Sequence, residues 1–249
     1  MNIKYITCSD PRNHNRIDEM FNLWNLDERV EIAVQMHPGK VSPDTDRYQW
    51  VQQLVDTVYR TPGKRECPLA IHVNCGWCDD ICNGKIPEPL APLFEAHSHF
   101  RFSAIVQRIQ LNMPQKTAEN FNPQKLKNVI DYFLDQTFII QYNDRTKNAV
   151  DALHKTGARF QLLFDASGGR GIDAKEWQAP IYPGKHNMGY SGGMSPENVA
   201  GNLDKIAMVA GNHSIWTDAE GKLKTDDKFD SARAAAYIKN VLSWEQKHR

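Results

Sequence analysis

The feature that most constrains this 249-residue chain is a regular alternation of short apolar runs with segments of helical periodicity. In the helical segments apolar residues recur at i, i+3, i+4 and i+7, as in Ile17, Met20, Phe21 and Trp24. Strands that alternate with helices form βαβ units and a parallel sheet. Eight runs are predicted to be strands: residues 3–7, 30–36, 69–74, 102–109, 137–142, 159–164, 187–190 and 214–217.

The number of units selects the type of parallel sheet. Eight βα units in about 250 residues are typical of a (β/α)8 barrel. The alternative, an open doubly wound sheet, usually carries a glycine-rich turn after its first strand. Here no glycine occurs before Gly39, and no linker or low-complexity segment divides the chain. We therefore predict a single (β/α)8 TIM-barrel domain over residues 1–249.

Composition restricts the partners of this barrel. The chain has 30 basic and 30 acidic residues and is 41% hydrophobic, which excludes intrinsic disorder and argues against nucleic-acid binding. No apolar run approaches the roughly 20 residues of a membrane span, and the N-terminus lacks the pattern of a secretion signal. Five cysteines, three of them clustered, do not suggest a disulfide framework. These observations predict a cytoplasmic protein whose partner is a small molecule.

Polar residues at the ends of the predicted strands are the candidates for substrate binding. Barrel active sites lie at the carboxyl ends of the strands, in the βα loops. His72 and Asn74 end the third predicted strand, Arg108 lies near the end of the fourth, and Gln141 near the end of the fifth. We predict that these four side chains contact the substrate.

Two glycine-containing segments stand out from these strand ends. In the first, Asp165 closes the sixth predicted strand and a glycine-rich loop follows, whose amides suit an anion. In the second, a glycine pair precedes a helix expected to begin near Ser195, which is the usual phosphate position of barrels. A capped helix after a tight turn is the alternative explanation. The predicted binding residues in these segments are Gly168, Gly169, Gly171, Ser191, Gly192 and Gly193.

Together these segments resemble the C-terminal third of phosphoribosylanthranilate isomerase. The similarity covers residues 150–206 and includes Asp-Ala-Ser-Gly-Gly-Arg-Gly at 165–171 and Ser-Gly-Gly-Met-Ser-Pro-Glu-Asn-Val at 191–199. The resemblance implies a (β/α)8 barrel that catalyses an Amadori rearrangement of a phosphorylated aminosugar in tryptophan synthesis, with neither a metal nor an organic cofactor. It also implies that Asp165 is the general acid and that Cys8 is the general base.

Three departures from the family pattern predict a different reaction. The turn after the eighth predicted strand carries Asp218 and Glu220 where the family has a Ser/Gly-rich phosphate turn. The family's arginine on strand two has no clear counterpart, and the loops after strands two to four are enlarged. We expect a divergent isomerase that uses acid–base chemistry on a small phosphorylated or sugar-like substrate, and a poor phosphoribosylanthranilate isomerase or none.

Two other functions remain open from the sequence. A metal-assisted hydrolase or lyase would use His72, Asp165, Asp218 and Glu220 as ligands, although no His-x-His pair follows the first strand. A non-catalytic ligand-binding barrel would keep the glycine loops and lose the acid–base pair. The thiols of Cys75, Cys78 and Cys82 suit zinc or an iron–sulfur cluster, or are ordinary loop residues. Our prediction includes no metal and no cofactor.

Overall fold

Eight parallel strands close into a barrel in the order β1 to β8, which confirms the predicted (β/α)8 fold. The computed structural model describes residues 1–61, 67–95, 104–165, 174 and 176–248. The barrel strands are β1 Asn2–Ser9, β2 Val30–Met36, β3 Leu69–Asn74, β4 Arg108–Asn112, β5 Thr137–Tyr142, β6 Gln161–Asp165, β7 Met188–Ser191 and β8 Ser214–Ala219. A separate two-stranded hairpin follows them, with β9 Lys224–Thr225 and β10 Lys228–Phe229.

Helices follow most of the strands. They are α1 Ile17–Trp24, α2 Asp46–Arg60, α3 Cys75–Cys82, α4 Ala91–Glu95, α5 Gln115–Glu119, α6 Pro123–Tyr132, α7 Lys147–Lys155, α8 Val199–Ala210 and α9 Ser231–Lys247. Short 3-10 turns cover Glu88–Leu90 and Gly221–Leu223. Side-chain caps begin several helices: Thr45 accepts the Tyr48 amide at the start of α2, and Asp230 accepts two amides of α9. None of the helices in the described ranges is long and apolar enough to cross a bilayer.

The chain forms two compact units, each with its own buried apolar side chains. The first unit combines Met1–Ala33 with Leu162–Arg249, and the second is Val34–Gln161. Ile32, Leu203 and Ile238 are fully buried in the first unit. Leu54 and Ile71 are fully buried in the second unit. The assignment of residues 1–249 to a single domain stays a prediction.

The predicted strands agree with the structure to within two residues at each end, except the fourth. β2, β3 and β5 have the predicted bounds. The fourth strand was predicted over residues 102–109, but β4 begins at Arg108, which pairs with Ala70 and Thr137. The buried residues Ile105 and Val106 precede the strand and extended the apolar run beyond it. The placement of Arg108 at a carboxyl strand end is therefore wrong, because this residue starts its strand.

A close contact between β7 and β8 shows which residues share a face of the sheet. Gly189 pairs with Trp216, and a Cβ atom on Gly189 would lie 2.0 Å from Cε2 of the Trp216 ring. The Trp216 ring therefore covers the position that a side chain at 189 would occupy. Since strand residues alternate between faces, Asp218 lies on the same face as Trp216. Thr217 lies on the other face, where it interacts with Tyr237 of α9.

Candidate active site

A row of polar side chains crosses five neighbouring strands of the first unit. Asp165 of β6 pairs with Ser191 of β7, and the β7–β8 register brings Ser191 level with Asp218 of β8. Asp218 pairs with Thr7 of β1, and Thr7 pairs with Glu31 of β2. All five residues are at most 9% exposed. Because paired residues of a parallel sheet share a face, these side chains lie together on the face turned away from α9.

Two short hydrogen bonds tie the acids of this row to β1. The Thr7 hydroxyl donates to Oε1 of Glu31 at 2.8 Å, and the Ser9 hydroxyl donates to Oδ1 of Asp218 at 2.5 Å. Both hydroxyls therefore point to the acidic face of β1. Cys8 lies between Thr7 and Ser9, so its side chain points to the opposite face.

Asp218 has the most strongly perturbed carboxyl group of the row. Burial raises its pKa from 3.8 to about 8, and the negative charges of Glu220, Glu31 and Asp165 act in the same direction. The hydrogen bond from Ser9 acts against this shift, because it stabilises the ionised form. Asp218 is therefore largely protonated at neutral pH. A buried carboxylic acid that keeps its proton near pH 7 is suited to act as a general acid.

A second group of charges adjoins the row after β8. Burial and the charge of Asp10 raise the pKa of Glu220, whereas Lys224, at 3.5 Å, lowers it. Lys224 also binds Asp10 at 2.8 Å, and Arg12 binds the same carboxylate at 2.6 Å. Lys224 and Arg12 thus both offset the negative charge of this group. Asp10 has φ of 73°, an uncommon left-handed conformation for a residue that is not glycine.

The surroundings of Cys8 do not favour the base role implied by the resemblance. Cys8 is fully buried, and burial raises the pKa of its thiol well above the ordinary value. The negative charges of Asp218 and Glu31 raise this pKa further. A cysteine base needs a thiolate, which such an environment opposes. Cys8 therefore points away from the acidic row, and its thiol resists ionisation, so we do not assign it a role in proton transfer.

The second unit contains a separate cluster of amide and imidazole side chains. His72 is 2% exposed, and its Nδ1 lies 3.3 Å from Nε2 of Gln35 and 3.4 Å from Nε2 of Gln110. The Asn74 amide donates to Oε1 of Gln35 at 2.7 Å, and Asn112 donates to Oδ1 of Asn74 at 2.9 Å. The structure thus brings His72 and Asn74 together at the ends of β3 and β4. Neutral donors and acceptors of this kind suit hydroxyl and carbonyl oxygens of a ligand.

The two other binding candidates of the second unit, Arg108 and Gln141, form different contacts. Arg108 is 1% exposed, and its Nη2 donates to Oε1 of Gln161, the first residue of β6, at 3.0 Å. Gln141 is 7% exposed near the end of β5, where its backbone carbonyl accepts a hydrogen bond from the Thr146 hydroxyl at 2.7 Å. Gln141 stays a predicted binding residue, whereas Arg108 lies at the amino ends of the strands.

The helix that follows the glycine turn after β7 begins later in the chain than predicted. Gly192 and Gly193 have φ of 127° and 64°, values that glycine adopts without strain. Helix α8 begins at Val199 rather than near Ser195, and the Ser195 hydroxyl accepts the amides of Glu197 and Asn198 in the turn that precedes the helix. These two amides are therefore already bonded within the turn. The anion site at Ser191, Gly192 and Gly193 stays a prediction, and the predicted binding residues Gly168, Gly169 and Gly171 lie outside the described residues.

The clustered thiols occupy a single short helix. Cys75, Cys78 and Cys82 all lie on α3, and Cys78 and Cys82 share a face at i, i+4, with a hydrogen bond between them. Within the ranges that the structure describes, no three His, Cys, Asp or Glu side chains are arranged to hold a metal ion.

Two residues of the acidic row, Thr7 and Glu31, and the adjoining Ser9 were not singled out in the sequence. Thr7 was noted only as a strand end, while Ser9 lies just beyond the predicted strand 3–7. Glu31 lies inside the apolar run 30–36, and a charged residue within a buried strand is a signal that could have found it. The Ser9–Asp218 contact joins residues 209 positions apart, so only the closure of the barrel shows it.

Comparisons with known proteins add a likeness in structure. No protein-family model matches the chain, and no curated protein sequence matches it. The resemblance to phosphoribosylanthranilate isomerase therefore stays a prediction. Among solved structures, the chain is similar to the X-ray crystal structure of the YdjI aldolase from Escherichia coli K12. The two share 13% identity at a TM-score of 0.48, over 97% of this chain and 90% of that chain.

Proposed function

We propose that this barrel is an enzyme that moves protons on a small, hydroxylated, sugar-like substrate, as in an aldose–ketose or Amadori-type isomerisation. Asp218 is the proton donor and Asp165 is the proton acceptor. The observation that carries the proposal is the buried Asp218 carboxyl, whose pKa of about 8 keeps it protonated at neutral pH beside other carboxylates. Pairs of acids that differ in protonation commonly divide the acid and base roles of one reaction.

The proposed step balances its protons. The Asp165 carboxylate takes a proton from the carbon next to the substrate carbonyl or imine, while Asp218 gives its proton to the oxygen or nitrogen of that group. Asp165 then gives its proton to the former carbonyl or imine carbon, and Asp218 takes the proton of the hydroxyl on the carbon that lost its hydrogen, which completes the isomerisation and restores both acids. The hydrogen bond from Ser9 to Oδ1 of Asp218 leaves Oδ2 as the oxygen that carries the proton.

The polar groups around these acids support a hydroxylated substrate. Thr7, Ser9 and Ser191 place hydroxyl groups on the same face as the two acids. Carboxylates and hydroxyls bind sugar hydroxyls well, and they repel a phosphate placed next to them. A phosphorylated substrate would hold its phosphate at the Gly192–Gly193 turn instead.

Deuterium exchange tests the proposal without knowledge of the product. Aldoses, ketoses and aminosugars, with and without phosphate, are incubated with the protein in D2O, and proton NMR follows loss of the C–H signal next to the carbonyl. We expect exchange with at least one substrate. Asp165→Asn and Asp218→Asn should each reduce its rate by at least about 100-fold. Asp144→Asn, a fully exposed aspartate, is the matched control and should exchange at the wild-type rate.

The pH dependence separates the two acids. Exchange should fall as the pH rises through about 8, because Asp218 then loses its proton. Ser9→Ala should move this fall to higher pH, since the Ser9 hydrogen bond stabilises the ionised form. Saturable sugar binding without any exchange would instead support the non-catalytic binding barrel.

A further inference from the structure

We propose that Cys75 and Cys78 form a redox-active dithiol that exchanges with disulfides. The residues form a Cys-Gly-Trp-Cys sequence in the first turn of α3, directly after β3. The proposed acid–base function makes no use of this pair. The two proposals are therefore independent, and each can be refuted without affecting the other.

The backbone brings the two thiols within disulfide range. The rise and radius of an α-helix place the Cα atoms of residues i and i+3 about 5 Å apart. Disulfides form where the Cα atoms are about 4.4–6.8 Å apart. Cys75 also has φ of 53°, a left-handed conformation at the point where the chain turns from β3 into the helix. A Cys-x-x-Cys pair in this position is a recognised arrangement for thiol–disulfide chemistry.

Cys75 has the properties of the attacking thiol. It is exposed, and its Sγ lies 3.1 Å from Nε2 of His37. The Gly39 amide donates to Nδ1 of His37 at 3.1 Å, so Nε2 is the ring nitrogen that carries hydrogen in the neutral imidazole. His37 therefore donates a hydrogen bond to the sulfur. This contact holds the exposed Cys75 sulfur at the start of α3, where an incoming disulfide can reach it.

Cys78 has the properties of the resolving thiol. It is fully buried and hydrogen-bonded to Cys82 one turn further along α3. That hydrogen bond and burial raise the pKa of Cys78 well above the ordinary value, and the charge of Cys75 acts in the same direction. Cys78 thus stays protonated and inaccessible to external disulfides until a neighbouring sulfur becomes electrophilic.

The exchange balances in two steps. The Cys75 thiolate attacks one sulfur of an incoming disulfide, the S–S bond breaks, and the first thiolate leaves. The Cys78 sulfur then attacks the Cys75 sulfur of the mixed disulfide and displaces the second thiolate, which takes the Cys78 proton. The protein loses two electrons as the Cys75–Cys78 bond forms, and the incoming disulfide is reduced to two thiols.

Redox titration of the whole protein tests the proposal, with mixtures of oxidised and reduced glutathione as the probe. Samples are acid-quenched, unfolded in N-ethylmaleimide and digested with a protease that cleaves before aspartate, which separates Cys78 from Cys82 at Asp79. We expect mass spectrometry to find a Cys75–Cys78 disulfide that titrates with the buffer, while Cys82 is alkylated. Cys75→Ser should abolish the bridge, and Cys82→Ser should retain it.

His37 is tested as a positioning residue through the alkylation rate of Cys75 in the reduced protein. His37→Ala should slow iodoacetamide labelling by about fivefold or more, the loss expected for one hydrogen bond. His37→Gln keeps a donor at comparable reach and should restore most of the rate. Three results would each overturn the dithiol: no bridged species at any buffer ratio, a stable glutathione adduct on Cys75, or a bridge between Cys78 and Cys82. None of them affects the deuterium exchange assigned to Asp165 and Asp218.

Discussion

Replacing Asp218 with asparagine should stabilise the protein, and the gain should grow with pH. Asparagine has the shape of a protonated aspartic acid, and its carbonyl can accept the same Ser9 hydrogen bond. It has no proton to lose as the pH rises. The wild-type acid, in contrast, must either keep its proton or place a negative charge among Glu31, Asp165 and Glu220. The substitution therefore isolates the cost of holding this acid in the fold.

The magnitude follows from the two pKa values of Asp218. Above pH 3.8 the unfolded chain releases this proton, whereas the native state retains it up to about pH 8. The unfolded state is thus favoured by about 1.4 kcal/mol for each pH unit between these values. The native state loses about 4 kcal/mol in this way by pH 7 relative to low pH. Since whole domains are stable by about 5–15 kcal/mol, the effect is readily measurable.

Urea denaturation at about pH 5, 7 and 9 measures the difference in free energy of unfolding between Asp218→Asn and wild type. It should be about 1.6 kcal/mol at pH 5, rise by about 1.4 kcal/mol per pH unit and level off above about pH 8. Asp144→Asn changes the same functional group on the surface and should show no such rise. A difference that stays flat between pH 5 and 9 would refute the perturbed acid and, with it, the proposed proton donor.

Substitutions at three further positions test the packing and the helix capping of the barrel. Gly189→Ala should destabilise the protein by at least about 3 kcal/mol in urea denaturation, because the new Cβ meets the buried Trp216 ring. Gly201→Ala on α8, where a Cβ meets open space, should instead stabilise it by up to about 1 kcal/mol, and a loss there comparable to that at 189 would contradict this reasoning. Asp230→Ala removes the cap that accepts the first amides of α9 and should lower the melting temperature through a loss of about 1 kcal/mol, whereas Asp230→Asn should retain most of the cap.

The barrel could be predicted from the sequence because its signal is repeated and local. β2, β3 and β5 are near-continuous apolar runs, and a polar residue lies at or next to the carboxyl end of each. β4 was misplaced because buried residues of the preceding loop extend its apolar run. In a strand that is buried on both faces, apolar content shows the existence of the strand more reliably than its bounds.

The composition of the acidic row could not be predicted, because it depends on which face of each strand turns inward. β1 is buried on both faces near its end, so alternation did not distinguish Cys8 from Thr7 and Ser9. Asp165 was singled out because a glycine-rich loop follows it. Asp218 was regarded as a misplaced charge at a phosphate turn, and its protonation became evident only from its burial beside other acids.

The protonation of Asp218 lowers the negative charge of the acidic turn after β8. Two carboxylates at a phosphate position repel the ligand only while both are ionised. Asp218 is neutral below about pH 8, and Glu220 lies 3.5 Å from the Lys224 ammonium, so the turn carries much less negative charge than its sequence suggests. The acidic turn is therefore a weaker argument against a phosphorylated substrate than the turn at Ser195. There the Ser195 hydroxyl already accepts two of the backbone amides that an anion would use. A substrate that binds through its hydroxyl and carbonyl oxygens satisfies both observations, and comparing exchange rates of phosphorylated and phosphate-free sugars decides between the two kinds of substrate.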